Sequence, residues 1–131
     1  MEWLREVEKI VNKKLSEGEE VDIWEELENT AEKYNIEPLD EETFYDLPAN
    51  AKIAVVKAVL QPESDEEALN AKWEDVEYWS NYWDSNIDGS DGGCGFWIQG
   101  NNIYLVVGQY YKAIWPSPPA YTFKAVYITS F

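Results

Sequence analysis

The chain has 131 residues, a formal net charge of −16 at pH 7, no histidine and one cysteine. Its length suits one domain, residues 1–131, with a core of its own. The lack of histidine excludes the usual general base near neutral pH and the Ser-His and Cys-His nucleophile pairs, so we expect a protein that is not an enzyme and needs no cofactor. The negative charge opposes direct binding of nucleic acid, and a basic protein is the expected partner.

The N-terminal region predicts the cellular location. Charged residues occur throughout residues 1–15, so this segment lacks the apolar run of a signal peptide or a membrane span. Cys94 has no second cysteine with which to form a disulfide within the chain. We therefore expect a cytoplasmic protein that does not bind membranes.

Charge is distributed unevenly along the chain. All 26 acidic residues and eight of the ten basic residues lie in residues 2–91, whereas residues 92–131 contain only Lys112 and Lys124. The formal charge is therefore −18 in the first segment and +2 in the second. The second segment is too short to bury much core alone, so we predict one domain with three regions: an acidic helical half at 1–83, a Gly/Asp turn region at 84–95 and an aromatic antiparallel sheet at 96–131.

Four segments of the first half have apolar residues at the three- and four-residue spacing of amphipathic helices, which predicts helices over about 3–15, 21–34, 50–60 and 64–83. Gly18 follows the first helix as a stop signal, and Ser64 with Glu67 makes a capping box at the start of the fourth. Asp40 is expected to cap a short turn before the third helix. The second helix has one apolar stripe and an almost wholly acidic remainder.

After Gly95 the apolar period changes to two, which is typical of strands. The sequence GFWIQGNNIYLVVGQYY predicts two strands around a Gly-Asn-Asn turn, and YTFKAVYITSF predicts a further strand after the breaker WPSPPA. Residues 110–115 are a candidate for another strand. The predicted fold class is therefore α+β, with about four N-terminal helices packed on a small C-terminal antiparallel sheet of three or four strands.

The sequence DSNIDGSDGG, residues 84–93, resembles the start of a calcium loop. Asp84, Asn86 and Asp88 occupy alternate ligand positions, and Gly89 lies where such a loop turns sharply. The twelfth position, however, is Gly95, where a bidentate Glu should complete the coordination. Because Asp, Asn, Ser and Gly also favour turns, we interpret the stretch as a turn without a metal, and calcium binding stays the minor alternative.

Cys94 is the one thiol that a covalent mechanism would have to use. It lies between Gly93 and Gly95 and has no histidine, lysine or arginine close in sequence to lower its pKa. We interpret it as a small residue at the start of a strand.

Aromatic residues are abundant, with seven Trp, nine Tyr and four Phe. In YWSNYW, residues 78–83, Trp79 and Trp83 share one helix face, and Tyr78 and Tyr82 share the neighbouring face. A small core cannot bury all four rings, so some aromatic surface is expected to remain. Exposed Tyr and Trp side chains suit both protein interfaces and stacking on sugar rings.

Acidic helix surfaces are the strongest functional feature of the sequence. Carboxylates one helical turn apart, about 5–6 Å, approach the spacing of successive phosphates, so they suit the basic groove of a nucleic-acid-binding enzyme. The residues predicted to bind such a partner are Glu19, Glu20, Asp22, Glu25, Glu26, Glu28, Glu32, Asp40, Glu41, Glu42, Asp65 and Glu66.

These features lead to two hypotheses of function. The first is a non-enzymatic inhibitor that binds a basic nucleic-acid-binding protein by mimicking nucleic-acid charge. In composition the chain is similar to the phage-encoded DNA mimics that block restriction or CRISPR enzymes, and to the acidic immunity proteins that neutralise nuclease toxins. The resemblance implies an anti-restriction, anti-CRISPR or immunity role. The alternative hypothesis is a calcium-assisted or aromatic-platform module that binds carbohydrate or another small ligand.

Overall fold

The computed structural model describes the backbone of residues 1–85 and 89–131 and the side chains of residues 1–82 and 92–131. The helices in these ranges are α1 (Glu2–Ser16), α2 (Ile23–Ala31), α3 (Glu41–Asp46), α4 (Ala49–Val59), α5 (Asp65–Leu69) and α6 (Trp73–Ser80), with a 3-10 helix at Glu32–Tyr34. The strands are β1 (Ile36–Pro38), β2 (Trp83–Ser85), β3 (Gly89–Gln99), β4 (Asn102–Tyr111) and β5 (Ala120–Ser130). None of these helices has the length and apolar character needed to cross a membrane.

The strands form an antiparallel sheet in which β3 has neighbours on both sides. Along the main path the order is β1-β3-β4-β5, and β2 also pairs with β3, away from the residues that pair with β1. β3 and β4 are joined at Gly100 and Asn101, where the positive φ of 61° at Gly100 suits a tight turn. Helices precede most of the sheet and pack against it, so the predicted α+β class is confirmed.

The segment predicted as one helix over 64–83 contains two helices and the start of a strand. Asn70 ends α5, and its side-chain Nδ2 donates to the Glu66 carbonyl at 3.0 Å. α6 then begins at Trp73, whose backbone N–H donates to the Tyr45 hydroxyl at 2.9 Å. The Trp73 ring lies in the core with Ala68 of α5 and Val76 of α6.

The helical half also contributes a strand that was not predicted. α2 ends at Ala31, and after the 3-10 helix Asn35 adopts a left-handed φ of 55°, which turns the chain into β1. β1 pairs antiparallel with β3, with Ile36 opposite Gln99. A strand of three residues is too short to show a period of two, so the sequence pattern did not indicate it.

The structure differs from the predicted turn region at 84–95. β2 pairs with β3 from Trp83 opposite Gly92 to Ser85 opposite Ser90, and β4 pairs with β3 from Gly89 onwards. Gly, Ser and Asp have low strand propensity, so the local pattern favoured a turn, whereas pairing on both sides overrides that preference. Residues 86–88, with Asn86 and Asp88 of the calcium alternative, lie outside the described residues.

The sheet separates two hydrophobic cores. On one face α1 and α2 pack around Trp97, and on the other α3, α4, α5 and α6 pack around Phe96. Adjacent residues of a strand point to opposite faces, so these two neighbours in β3 belong to different cores. Trp97 is fully buried, lies 4.9 Å from the Trp3 ring and donates from Nε1 to the Cys94 carbonyl at 2.7 Å. Helices therefore cover both faces of the sheet.

Gly93 allows the end of α6 to approach β3 closely. A Cβ atom at this position would lie 1.9 Å from the Ser80 carbonyl oxygen and 2.7 Å from the carbonyl carbon. The Gly93 N–H also donates to the Tyr82 carbonyl at 2.9 Å, which ties the segment after α6 to the strand. These contacts fix where the C-terminal end of α6 lies relative to the sheet.

We predict that Gly93→Ala lowers the free energy of unfolding by about 1–3 kcal/mol or more, because backbone atoms must shift to admit the methyl group. Gly18→Ala is the matched control, since Gly18 has a φ of +78° with open space around it and its substitution adds only backbone strain, about 1 kcal/mol. Urea unfolding measures both variants. Equal or smaller destabilisation by Gly93→Ala would contradict the close contact.

Candidate functional site

Acidic side chains cover the helices at the surface. Among residues 1–82 and 92–131 every Asp and Glu is exposed except Glu6, Glu8 and Glu26, which are half-buried. Ion pairs in these ranges join Lys14 to Glu26, Lys33 to Glu6 and Lys57 to Asp65. Most of the described carboxylates therefore have no cationic partner within this part of the chain.

Seven of the predicted partner-binding residues lie on α2 or next to its ends, and we call them the α2 acidic surface: Glu19, Glu20, Asp22, Glu25, Glu26, Glu28 and Glu32. Glu25, Glu28 and Glu32 follow one another at intervals of three and four residues, so these exposed side chains make a row along one side of the helix. Leu27 and Ala31 lie on another side and are buried in the Trp97 core. The acidic row thus faces solvent because the apolar stripe faces the sheet.

Lys14, on α1, shows that carboxylates of the α2 acidic surface lie close together. Its hydrogen bond to Glu26, helped by attraction to Glu26, Glu19 and Glu25, raises the pKa of Lys14 against the opposing effect of burial. Three of the seven acidic residues therefore act on one ammonium group. The other six carboxylates of this surface form no ion pair with the described lysines and arginines.

The remaining predicted residues form a separate group, the α3–α5 acidic surface: Asp40, Glu41, Glu42, Asp65 and Glu66. They lie at the N-caps or first turns of α3 and α5, which pack on the opposite face of the sheet from α2. The structure therefore does not bring all twelve predicted residues onto one surface. Negative charge at a helix N-terminus is locally favourable, which gives this group a structural explanation that Glu28 and Glu32 lack.

Asp40 is the clearest case of a structural role. Its Oδ1 accepts from the Thr43 N–H at 2.8 Å and caps α3, as the sequence predicted. Hydrogen bonds from Thr43 lower the pKa of Asp40 below its usual value of 3.8. A lowered pKa means that the ionised form stabilises the fold above that value and that this contribution is lost as the pH falls through the folded-state pKa.

We predict that Asp40→Ala lowers the free energy of unfolding at pH 7 by about 0.5–2 kcal/mol, because the N-cap of α3 is removed. Asp40→Asn keeps an N-cap oxygen and serves as the control, with a smaller loss. As the pH falls below about 4, the stability of the native protein should drop towards that of Asp40→Asn in urea unfolding. A constant difference between the two down to pH 2 would contradict the lowered pKa.

The residues of the calcium alternative are not arranged as a loop where they are described. Asp84 pairs through its backbone with Asp91 of β3, and Gly89 pairs with Tyr111 of β4, so both positions lie in strands. Among the residues with described side chains, no group of three or more acidic or cysteine side chains is placed to hold a metal ion. The absence of a metal stays a prediction.

Cys94 lies inside the Trp97 core, as expected for a small strand residue. It is 3% exposed, and burial raises the pKa of its thiol to about 12, with a partly opposing hydrogen bond from the Gly108 backbone. A thiol of this kind is protonated at neutral pH and inaccessible, so it is a poor nucleophile.

Three aromatic rings at the end of α6 are exposed and touch one another, and we call Tyr78, Trp79 and Tyr82 the α6 aromatic cluster. Their ring centroids lie 5.2 Å apart for Tyr78 and Trp79 and 5.1 Å apart for Trp79 and Tyr82. The three side chains are 61%, 45% and 44% exposed. The prediction that part of YWSNYW remains at the surface is confirmed for these three rings.

The start of α2 and the end of α6 approach each other at Gly95, which lies in β3 between the residues that pair with β2 and those that pair with β1. Ile23 and Trp24 at the start of α2 line the same small cleft as Asn81 at the end of α6. A Cβ atom on Gly95 would lie 3.0 Å from the Trp24 ring and 3.4 Å from the Asn81 Oδ1, so the two helix ends meet across this glycine. Glu25 of the α2 acidic surface follows Trp24, and Tyr82 of the α6 aromatic cluster follows Asn81.

A second exposed aromatic feature lies in the connection between β4 and β5. Trp115 is 93% exposed and Ile114 is 74% exposed, and β4 ends before them at Tyr111. The sequence pattern treated WPSPPA only as a strand breaker and 110–115 as a candidate strand. Two apolar residues directly before a proline-rich stretch were the available signal, but propensity rules do not separate a projecting loop from a buried one.

Comparisons with protein-family models, with curated proteins and with solved structures found no match.

Proposed function

We propose that this protein is a non-enzymatic inhibitor that binds a basic nucleic-acid-binding protein through the α2 acidic surface and thereby excludes nucleic acid. The observation that carries the proposal is the exposed row Glu25, Glu28 and Glu32, none of which forms an ion pair with a described residue. Glu25 lies in the first turn of α2 and is attracted to Lys14, whereas Glu28 and Glu32 have no such structural explanation. We expect the partner to be cytoplasmic and the role of this protein to be that of an anti-restriction, anti-CRISPR or immunity protein.

The spacing of the row supports competition with a phosphate backbone. Side chains three and four residues apart on a helix lie about 5–6 Å from each other, which approaches the step between successive phosphates of one strand. Lysines and arginines that line a nucleic-acid groove would then meet carboxylates where they normally meet phosphates. The α3–α5 acidic surface is left out of this contact because it lies across the sheet.

The energetic cost of the row also favours a use in binding. Like charges one turn apart weaken a helix by about 0.2–0.5 kcal/mol per pair, and a large net charge destabilises a compact chain. At a basic surface this repulsion is replaced by attraction. Long-range attraction speeds the encounter, and desolvated contacts near the centre then determine the lifetime of the complex.

A tagged form of the protein and two triple variants test the proposal. Glu25→Gln/Glu28→Gln/Glu32→Gln removes three charges from the α2 acidic surface, and Glu41→Gln/Glu42→Gln/Glu66→Gln removes three from the other side of the sheet. From a nuclease-treated lysate we expect the native protein and the second variant to retain a basic nucleic-acid-binding protein, and the first variant to retain much less of it.

Kinetics with the purified partner complete the test. The native protein should displace a labelled oligonucleotide from that partner, and the association rate should fall about 10-fold or more as NaCl rises from low to high concentration. Any of three results would contradict the proposal: recovery of neutral or acidic partners only, an association rate that does not change with salt, or equal effects of the two triple variants.

The α6 aromatic cluster supports a second candidate function, an aromatic platform for carbohydrate. Tyr and Trp rings that remain at the surface are suited to stacking on sugars as well as to protein contacts. The charges around the cluster separate the two possibilities.

A further inference from the structure

Two exposed carboxylates lie beside the rings of the α6 aromatic cluster. Glu74 precedes Tyr78 by four residues, and Asp75 precedes Trp79 by four, so on α6 each acid is a surface neighbour of one ring. Neither acid forms an ion pair with a described residue. Glu77, in contrast, is used within the protein, because its Oε2 accepts from the Trp73 Nε1 at 3.1 Å.

Lysine and arginine are absent from the sequence around the cluster, between residues 73 and 111. Lys72 at the start of α6 lines the same cleft as Asp75 but forms no ion pair with the described acids. The exposed rings and the two carboxylates are thus open to a cation from another molecule. A neutral sugar would stack on the rings but would form no ion pair with the two carboxylates.

Arginine is the cation that fits both parts of this site. A planar guanidinium group stacks on an aromatic face while its N–H groups donate to a carboxylate, whereas an ammonium group is compact and more strongly hydrated. Tyr and Trp paired with Arg are also the residues that dominate binding energy at protein interfaces. The arrangement of ring and acid one turn apart therefore favours Arg over Lys.

We propose that the α6 aromatic cluster, with Glu74 and Asp75, binds arginine side chains of a protein partner. This inference rests on the proposed function, because it assigns the aromatic contact to the same basic partner that the α2 acidic surface attracts. The meeting of Trp24 and Asn81 at Gly95 makes the two surfaces neighbours, so one partner reaches both across the edge of β3. The acidic row supplies attraction to any cation, and the cluster supplies preference for arginine.

Two peptides of equal charge, nona-arginine and nona-lysine, separate these roles. Titration calorimetry at fixed ionic strength should give a lower dissociation constant (Kd) for nona-arginine. Trp79→Ala and Tyr78→Ala should each raise the Kd for nona-arginine roughly 2- to 5-fold and leave the Kd for nona-lysine unchanged. Trp79→Phe should retain most of the preference, and Glu74→Gln/Asp75→Asn should lose it.

Trp115→Ala is the matched control, because it removes an exposed tryptophan that has no acidic residue near it in sequence. It should bind both peptides as the native protein does. Circular dichroism and thermal melting establish that each variant is folded. If Trp79→Ala does not fold, Tyr78→Ala replaces it, because Tyr78 is the most exposed ring of the cluster.

The outcomes distinguish the two proposals. Equal affinity for both peptides, unchanged by the cluster variants but lowered by Glu25→Gln/Glu28→Gln/Glu32→Gln, would overturn the arginine site and leave the proposed function standing. Binding of neither peptide would contradict both. Binding of a cello-oligosaccharide that Trp79→Ala abolishes, with no arginine preference, would overturn the arginine site in favour of the carbohydrate platform.

Discussion

Phe96 and Trp97 are adjacent in β3 and point to opposite faces of the sheet, and each is buried in a different core. Each core therefore contains a side chain of this strand, with α1 and α2 packed on the Trp97 side and α3 to α6 packed on the Phe96 side. β3 is also paired with β1, β2 and β4. Position 93 of this strand also has to be a glycine, because a side chain there would clash with the backbone at the end of α6.

This arrangement determines which charged groups act together. Covering both faces of one sheet divides the acidic helices, so the α2 acidic surface and the α3–α5 acidic surface lie on opposite sides of the molecule. At the edge of β3, in contrast, the start of α2 and the end of α6 meet at Gly95, although they are far apart in sequence. Glu25 follows Trp24 and Tyr82 follows Asn81, so the start of the acidic row lies near the end of the aromatic cluster, which is the combination that a basic, arginine-bearing partner would use.

Much of the fold followed from local patterns in the sequence. Helical stripes located α1, α2 and α4, the Gly-Asn-Asn turn located the β3–β4 hairpin, and the Asp40 and Ser64 caps were identified from their residue types. The break between α5 and α6 was not predicted. β1 and the first half of β3 were not predicted, because three residues show no period and a Gly/Ser/Asp strand is specified only by its pairing partners. The sequence also did not predict how the acidic residues group in space, because a helix pattern shows which residues face solvent but not which side of a sheet the helix covers.

We infer that the α2 acidic surface carries repulsion that the fold itself does not neutralise. The free energy of unfolding, measured by urea titration at NaCl concentrations from low to moderate, tests it most directly. We predict that stability rises as salt screens the repulsion, and that Glu25→Gln/Glu28→Gln/Glu32→Gln is more stable at low salt with a flatter dependence. Stability that falls or stays constant with salt, or a variant with the native salt dependence, would show that this surface carries no such repulsion.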